Sequence, residues 1–171
     1  KDLARGLRAH GFRTSLVTLG RPTRAAFEAP PGTIDLSTLG GPDPQHRARR
    51  AARHLVSLGI DLVHGHLLDQ GTIRAFASRG LPMALTLHNT STGWPAGTTK
   101  LRAEDAPLVI ACAQSVEDEC RAEGIPIPVR TIWNGIDFQA LQPDPSAALR
   151  GRAFREGLGF DPTDFILLSL A

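Results

Sequence analysis

Two stretches decide the fold: Gly59-Ile60-Asp61-Leu62-Val63-His64-Gly65-His66 and Pro82-Met83-Ala84-Leu85-Thr86-Leu87-His88-Asn89. Each is a short apolar run that turns polar at its carboxyl end. Runs of this length between Gly, Pro and polar residues read as strands. The residues between them predict a helix over 70–79, stopped by Gly80. A strand, a helix and a second strand imply parallel pairing through a crossover. In an open sheet of this kind, ligands bind outside the carboxyl ends of the strands. His64, His66 and His88 therefore mark where a binding site belongs.

The same alternation extends in both directions. Toward the amino end, Leu3, Ala4 and Leu7 share the apolar face of a helix over 2–10 that Gly11 stops. A strand at Thr14–Leu19 follows, then a Pro/Gly-rich loop from Arg21 to Gly32 and a strand at Thr33–Leu36. Asp43 is a candidate cap for a helix over 45–58, whose Ala48, Ala51, Ala52, Leu55 and Leu58 line one side. The strands flanking the histidines read as Ile60–His64 and Met83–His88. Asn89–Lys100 has no period and reads as a mobile loop of the kind that carries function. Beyond it come a strand at Leu108–Ala111, a helix over 116–123 with Ser115 as N-cap and Gly124 as stop, and a strand at Val129–Ile132. Asn134-Gly135 predicts a tight turn of positive φ. A helix over 146–157 and a buried-type strand at Phe165–Leu170 complete the chain. The expected class is α/β, a Rossmann-like parallel sheet with helices on both faces.

The chain has 171 residues, 42% hydrophobic and 21% charged, with a formal net charge of +2, which fits an ordinary globular domain. Acids and bases are interspersed, so no nucleic-acid footprint is visible. The basic run His46–Arg53 reads as a solvated helix face; an anionic partner or a membrane surface is the alternative. Cys112 and Cys120 lack metal-ligand spacing and read as free thiols, Cys112 as a small core residue. No apolar run approaches the roughly 18 residues of a membrane span, and none reads as a signal peptide. The chain opens inside a helix at Lys1 and closes on a strand, so both ends read as cut from a longer protein.

His64 and His66 sit at i and i+2 and share one face of a strand. Such a pair binds metal in some enzymes, with His88 as the available third ligand; the plainer reading is hydrogen bonding within the sheet, and no metal is expected. His88, with Asn89 beside it, could donate to a phosphate or sugar hydroxyl or move a proton. Thr90, Ser91, Thr92, Thr98 and Thr99 offer hydroxyls, and Trp94 is an aromatic suited to sugar stacking or loop closure. Trp133 reads as packing. No Gly-x-Gly-x-x-Gly, Walker or Gly-x-Ser-x-Gly sequence occurs.

In order and spacing these segments resemble the amino-terminal, acceptor-side domain of family 4 retaining glycosyltransferases of GT-B architecture. The matching stretches are Leu3–Phe12, Asp61–His66, Leu85–Asn89, Leu108–Ser115, Ile132–Asp137, Leu158–Phe160 and Asp164–Leu170. The resemblance implies one half of a two-domain fold, truncated at both ends. Residues 1–142 would form the amino-terminal Rossmann-like domain without its first strand. Residues 143–171 would form a linker helix and the first strand of a donor-binding domain. It implies transfer of a sugar from a nucleoside-diphosphate-sugar to an acceptor hydroxyl with retention, the fragment alone being inactive. His88 would be catalytic, facing the reacting sugar and the donor phosphates. His66 would lie near the acceptor, and Asn89, Thr90, Trp94, Asn134 and Gly135 would complete the substrate side, with Asn134–Asp137 turning toward the linker.

The implied partners are a nucleotide-sugar donor and a sugar, lipid or glycan acceptor, with no cofactor and no nucleic acid. The implied location is cytoplasmic, with room for peripheral contact at the inner face of the membrane. Two other readings stay open: a metal-dependent hydrolase built on His64, His66 and His88, and a non-catalytic Rossmann-like binding domain.

Overall fold

The computed structural model describes residues 2–20, 32–136, 138–139, 142, 146–161 and 163–167. Most of the Arg21–Gly32 loop, Asp137, and Leu168–Leu170 of the last expected strand lie outside the described residues. The chain divides into a first unit, Lys1–Asn134, and a second, Gly135–Ala171.

The first unit is an α/β arrangement with the order α1 (Asp2–Ala9), β1 (Val17–Thr18), β2 (Ile34–Asp35), α2 (Pro44–Ser57), β3 (Val63–His66), α3 (Gln70–Ala77), β4 (Met83–Leu87), β5 (Leu108–Ala111), α4 (Gln114–Ala122) and β6 (Val129–Thr131). β1 and β2 form a two-stranded parallel sheet, and β3-β4-β5-β6 a four-stranded parallel sheet in that order. This is the expected Rossmann-like architecture.

Caps and glycines set the helix ends. The Asp43 carboxylate accepts from the His46 amide at 2.7 Å, and Asp69 accepts from the Thr72 amide at 3.0 Å and its hydroxyl at 2.8 Å. Each satisfies a first-turn donor that the helix leaves unpaired. Gly80 and Gly124, at φ 72° and 67°, let the chain leave α3 and α4 in the left-handed region. α4 departs from expectation. It starts at Gln114, its N-cap is Ala113 with no side-chain cap, and Ser115 falls inside its first turn.

Several boundaries move for identifiable reasons. Thr14 is held by α1, its hydroxyl donating to the Ala4 carbonyl at 2.9 Å, so β1 pairs only from Val17. The Ile60 amide closes the end of α2 on the Leu55 carbonyl, and the ladder of β3 begins at Val63, whose amide donates to Pro82. β3 is thus Val63–His66, so both histidines lie inside the strand. Leu58, expected on the buried side of α2, is the exposed C-cap.

The core joins Met83, Leu85 and Leu87 of β4 to Val109 and Ala111 of β5, with Ile73 and Phe76 of α3, Val116 and Cys120 of α4, and Ala51, Ala52 and Leu55 of α2. Alternation along β4 sends 83, 85 and 87 to this core and leaves Ala84, Thr86 and His88 on the other side. The small residues of α2 permit its close packing on α3. Two buried carboxylates, which the sequence did not mark, tie elements together. Asp105 accepts from Arg74 Nε at 3.2 Å and from the Arg102 amide at 3.0 Å. Glu117 on α4 accepts from Thr131 on β6 and from Arg121. The Thr131 hydrogen bond holds the Glu117 carboxyl below the usual range, helped by Arg121 and opposed by desolvation.

After β6 the expected turn is absent: neither Asn134 nor Gly135 has positive φ. Asn-Gly reverses a chain where a returning strand demands it, and among the described residues β6 ends the four-stranded order with no strand returning beside it. Trp133, expected to pack, is 68% exposed. In the second unit, α5 (Ala147–Gly157) has no buried residue, and Arg155 donates to the carbonyls of Asp161 and Asp164. Residues 164–167 form no strand, and Phe165 is 93% exposed. The expected strand therefore fails over its described part; an apolar run becomes a strand only where a neighbour accepts its backbone.

Candidate functional site

The register of β3 on β4 assembles the site. His64 lies opposite Ala84 and His66 opposite Thr86. In a parallel pair, residues in register face the same side, so His64, His66, Thr86 and His88 share one face. Each histidine of β3 then reaches two residues further along β4. His64 Nε2 meets Thr86 Oγ1 at 2.6 Å, and His66 Nδ1 meets His88 Nε2 at 2.8 Å. The three rings form a row: His66 stacks on His88 with centroids 5.1 Å apart, and His64 lies 4.4 Å from His66 with its ring tilted by 35°.

Proximity and burial both disfavour charge on His64 and His66. Desolvation, then the field of His88, lowers the pKa of His64. Desolvation, then His64 and His88, pushes His66 down to about 4 from its ordinary 6.5. The sign follows by linkage. Between pH 6.5 and about 4 the unfolded chain protonates His66 and the folded chain resists, so stability is lost as pH falls through that window. Urea midpoints should fall between pH 7 and pH 4.5, and His66→Asn should flatten part of that slope; an equal slope in the variant would exclude His66 as a source.

His88 opens a cleft of about 570 Å³ lined also by Asn89, Thr90, Thr92, Gly93, Cys112, Ala113, Ser115 and Val116. That volume suits a small ligand. Its floor is the end of β4 and the uncapped first turn of α4, and its wall is the segment after His88. The Cys112 thiol is half-buried there and donates to the His88 carbonyl at 3.4 Å, whereas Cys120 is the fully buried cysteine, its thiol pushed up to about 11 by burial. A hollow of about 350 Å³ over the starts of α2 and α3 includes Asp43 and Asp69, but both carboxylates are engaged in capping their own helices.

The segment expected as an aperiodic mobile loop is built. It holds two 3-10 turns, Ser91–Gly93 and Thr98–Lys100. Trp94 Nε1 donates to the Asn89 carbonyl at 2.7 Å, and the indole packs on the core. The Ser91 hydroxyl donates to Glu119 at 2.7 Å, which lowers the Glu119 pKa. Gln70 clasps the far end, its amide donating to Ala96 and its side chain to the Lys100 carbonyl at 3.0 Å. Gly97 lies against that side chain at φ 81°, where an added Cβ would come within 2.7 Å of Gln70 Cβ. Gly97→Ala should cost about 2–3 kcal/mol, from the left-handed backbone and the overlap together. Chemical denaturation would measure it, and Gln70→Ala in the same background should relieve part of the loss.

His88, Asn89 and Thr90 thus line one cleft, His66 reaches it through His88, and Trp94 supports its wall. Asn134 is exposed beyond β6, and Gly135 belongs to the second unit. The sequence marks neither Thr86 nor Glu119, offers Thr92 only as one hydroxyl among several, and points to Cys112 as core and Ser115 as a cap. Parity with His88 along β4 is the signal that finds Thr86; only the fold brings the others near. Among the described residues, no group of three or more His, Cys, Asp or Glu side chains is placed to hold a metal ion, and no helix is long and apolar enough to cross a membrane.

No curated protein matches the chain in a sequence comparison. The model of the family described as Glycosyltransferase Family 4 matches residues 1–140. That match carries both histidine strands and every residue of the cleft, and by its extent the chain belongs to glycosyltransferase family 4, a family of GT-B-type glycosyltransferases acting on a sugar donor and an acceptor.

Proposed function

We propose that residues 1–142 are the acceptor-side domain of a retaining glycosyltransferase. The intact enzyme moves a sugar from a nucleoside-diphosphate-sugar to an acceptor hydroxyl of a sugar, lipid or glycan. On this reading residues 143–171 are the linker helix and a segment that pairs as a first strand only beside the rest of a donor-binding domain, and the acceptor side is inactive alone. The observation that carries the reading is the cleft at the carboxyl end of β4. His88 meets there a set of neutral donors and acceptors, Asn89, Thr90, Thr92 and Ser115, suited to hydroxyl-rich ligands.

In the transfer, the bond from the anomeric carbon to the phosphate oxygen breaks and a bond to the acceptor oxygen forms. The acceptor proton passes to the departing diphosphate. Negative charge grows on that diphosphate, and donors aimed at it or at the sugar lower the barrier. His88 is the donor on this side of the reaction, and Asn89 and Thr90 orient the substrates. Trp94 acts by fixing the Asn89 backbone, and Asn134 and Gly135 lead toward the linker. The enzyme works in the cytoplasm. The exposed Arg47, Arg49, Arg50 and Arg53 of α2 support peripheral contact with an anionic membrane face.

The test is a screen of nucleotide-sugar donors against the intact protein, following nucleoside diphosphate release and the anomeric configuration of the product by NMR. Donor-dependent release with retained configuration supports the reading. An inverted product overturns retention, and absence of release across donors and acceptors overturns the transferase.

A further inference from the structure

His88 is the strand-end residue of the cleft, and a histidine in that position has two problems. Its ring can flip about χ2, exchanging nitrogen and carbon edges, and its single proton can sit on either nitrogen. A ligand that needs one particular nitrogen meets it only part of the time unless another group fixes both choices.

The geometry points to His66 as that group. Its Nδ1 lies 2.8 Å from His88 Nε2, and the two rings stack with 20° between their planes. Among the described residues, His88 Nδ1 has no protein partner. A flipped ring would put a carbon against His66 Nδ1 and lose the hydrogen bond. We propose that His66 is a positioning residue for His88: it occupies Nε2, holds the ring in one orientation, and leaves Nδ1 as the nitrogen that meets a ligand in the cleft. The tautomers of the two rings are coupled through the same contact: when His66 Nδ1 carries the shared proton, His88 Nε2 accepts it and the proton of His88 lies on Nδ1, facing the cleft; when His88 Nε2 carries it, Nδ1 is a bare acceptor.

The supports of His66 fit this role. The His64 ring lies 4.4 Å from that of His66, tilted by 35°, and is itself anchored to Thr86 by the same two-residue slant across the strands. The β3 position between them is Gly65, where an added Cβ would come within 2.7 Å of Leu68 Cδ1 and 3.2 Å of Met83 Sδ. The strand is therefore seated closely on its neighbours, and the histidine pair inherits that rigidity. Positioning of this kind multiplies the efficiency of a group without touching the substrate.

Only the link to turnover rests on the transferase reading; the ring and proton placement do not. The side-chain amide of asparagine stands where histidine carries Nδ1, whereas that of glutamine stands where it carries Nε2. His66→Asn therefore keeps a partner for His88 Nε2, and His66→Ala and His66→Gln do not. The experiment records histidine ring nitrogen shifts by NMR for the intact protein and the three variants, with kcat and KM for each.

In the native protein and in His66→Asn, His88 should show one dominant tautomer. In His66→Ala and His66→Gln it should show averaged shifts. Turnover should drop roughly 10- to 100-fold in Ala and Gln, mainly in kcat, with most of the loss recovered in Asn. Unchanged His88 shifts in His66→Ala, or equal turnover in Ala and Asn with a common thermal midpoint, overturns the proposal. If no donor is turned over by the native protein, the transferase reading fails while the NMR comparison still decides the placement.

Discussion

Replacing His88 with alanine lowers turnover of the intact enzyme by about 10²–10³-fold, the usual loss when one aimed donor is removed from a developing charge. The fold persists, because His88 lies beyond the last residue of β4, partly exposed, and the ladder ends at Leu87. The two amide replacements separate its two nitrogens. His88→Gln keeps a group near Nε2 for His66 but empties the Nδ1 position; His88→Asn does the reverse. If Nδ1 is the working atom, Asn retains more turnover than Gln. Steady-state kinetics with thermal melts reads both, and a full-rate His88→Ala enzyme removes His88 from the mechanism.

The largest stability effect belongs to Phe76→Ala. Phe76 is 1% exposed in α3, within the core that joins that helix to α2 and the sheet. Removing a buried phenyl ring loses its transfer free energy and leaves a cavity, together about 3–5 kcal/mol. For a domain of this size that is a fall of roughly 10–20 °C in the midpoint. Cavity cost depends on how far the neighbours relax, and here Ile73, Leu81 and Met83 are also nearly fully buried. Phe76→Leu should recover more than half of the loss, since most of the volume returns. A melt showing Phe76→Ala within a few degrees of the native protein would mean that α3 does not seat on the sheet as described.

These two positions differ in how readable they are from the chain. The helix that carries Phe76 is visible because the Gly80 stop is a local property, but the burial of Phe76 itself is decided by the fold. His88 is visible as a polar residue at the end of an apolar strand. Asp43 reads as a cap for the same reason: a cap acts within three residues of itself. Where a local rule had a competitor it failed. Ser115 has the right chemistry to cap α4, yet the helix starts before it, and Phe165 begins an apolar run with no strand paired beside it among the described residues.

The segment after His88 shows the other limit. Its composition, NTSTGWPAGTTK, has no period and few apolar side chains, so nothing local predicts order. The order comes from residues distant in sequence: Gln70 on α3, Glu119 on α4 and the core beneath Trp94. Glu117 and Asp105 are similar. A carboxylate reads as a surface residue until the fold brings Thr131 or Arg74 to it.

By itself the sequence determined the alternation of strands and helices, the parallel α/β class, most helix ends and the placement of three histidines on two successive strand segments. All of these follow from side-chain period, capping and backbone restriction acting over a few residues. The tertiary structure alone decided which of those histidines touch. The contact of His66 with His88 exists because β3 begins at Val63 and lies opposite Met83 in register. That register is set by burial of Met83, Leu85 and Leu87 against helices far away in the chain. A shift of one residue would turn both histidines to the opposite face.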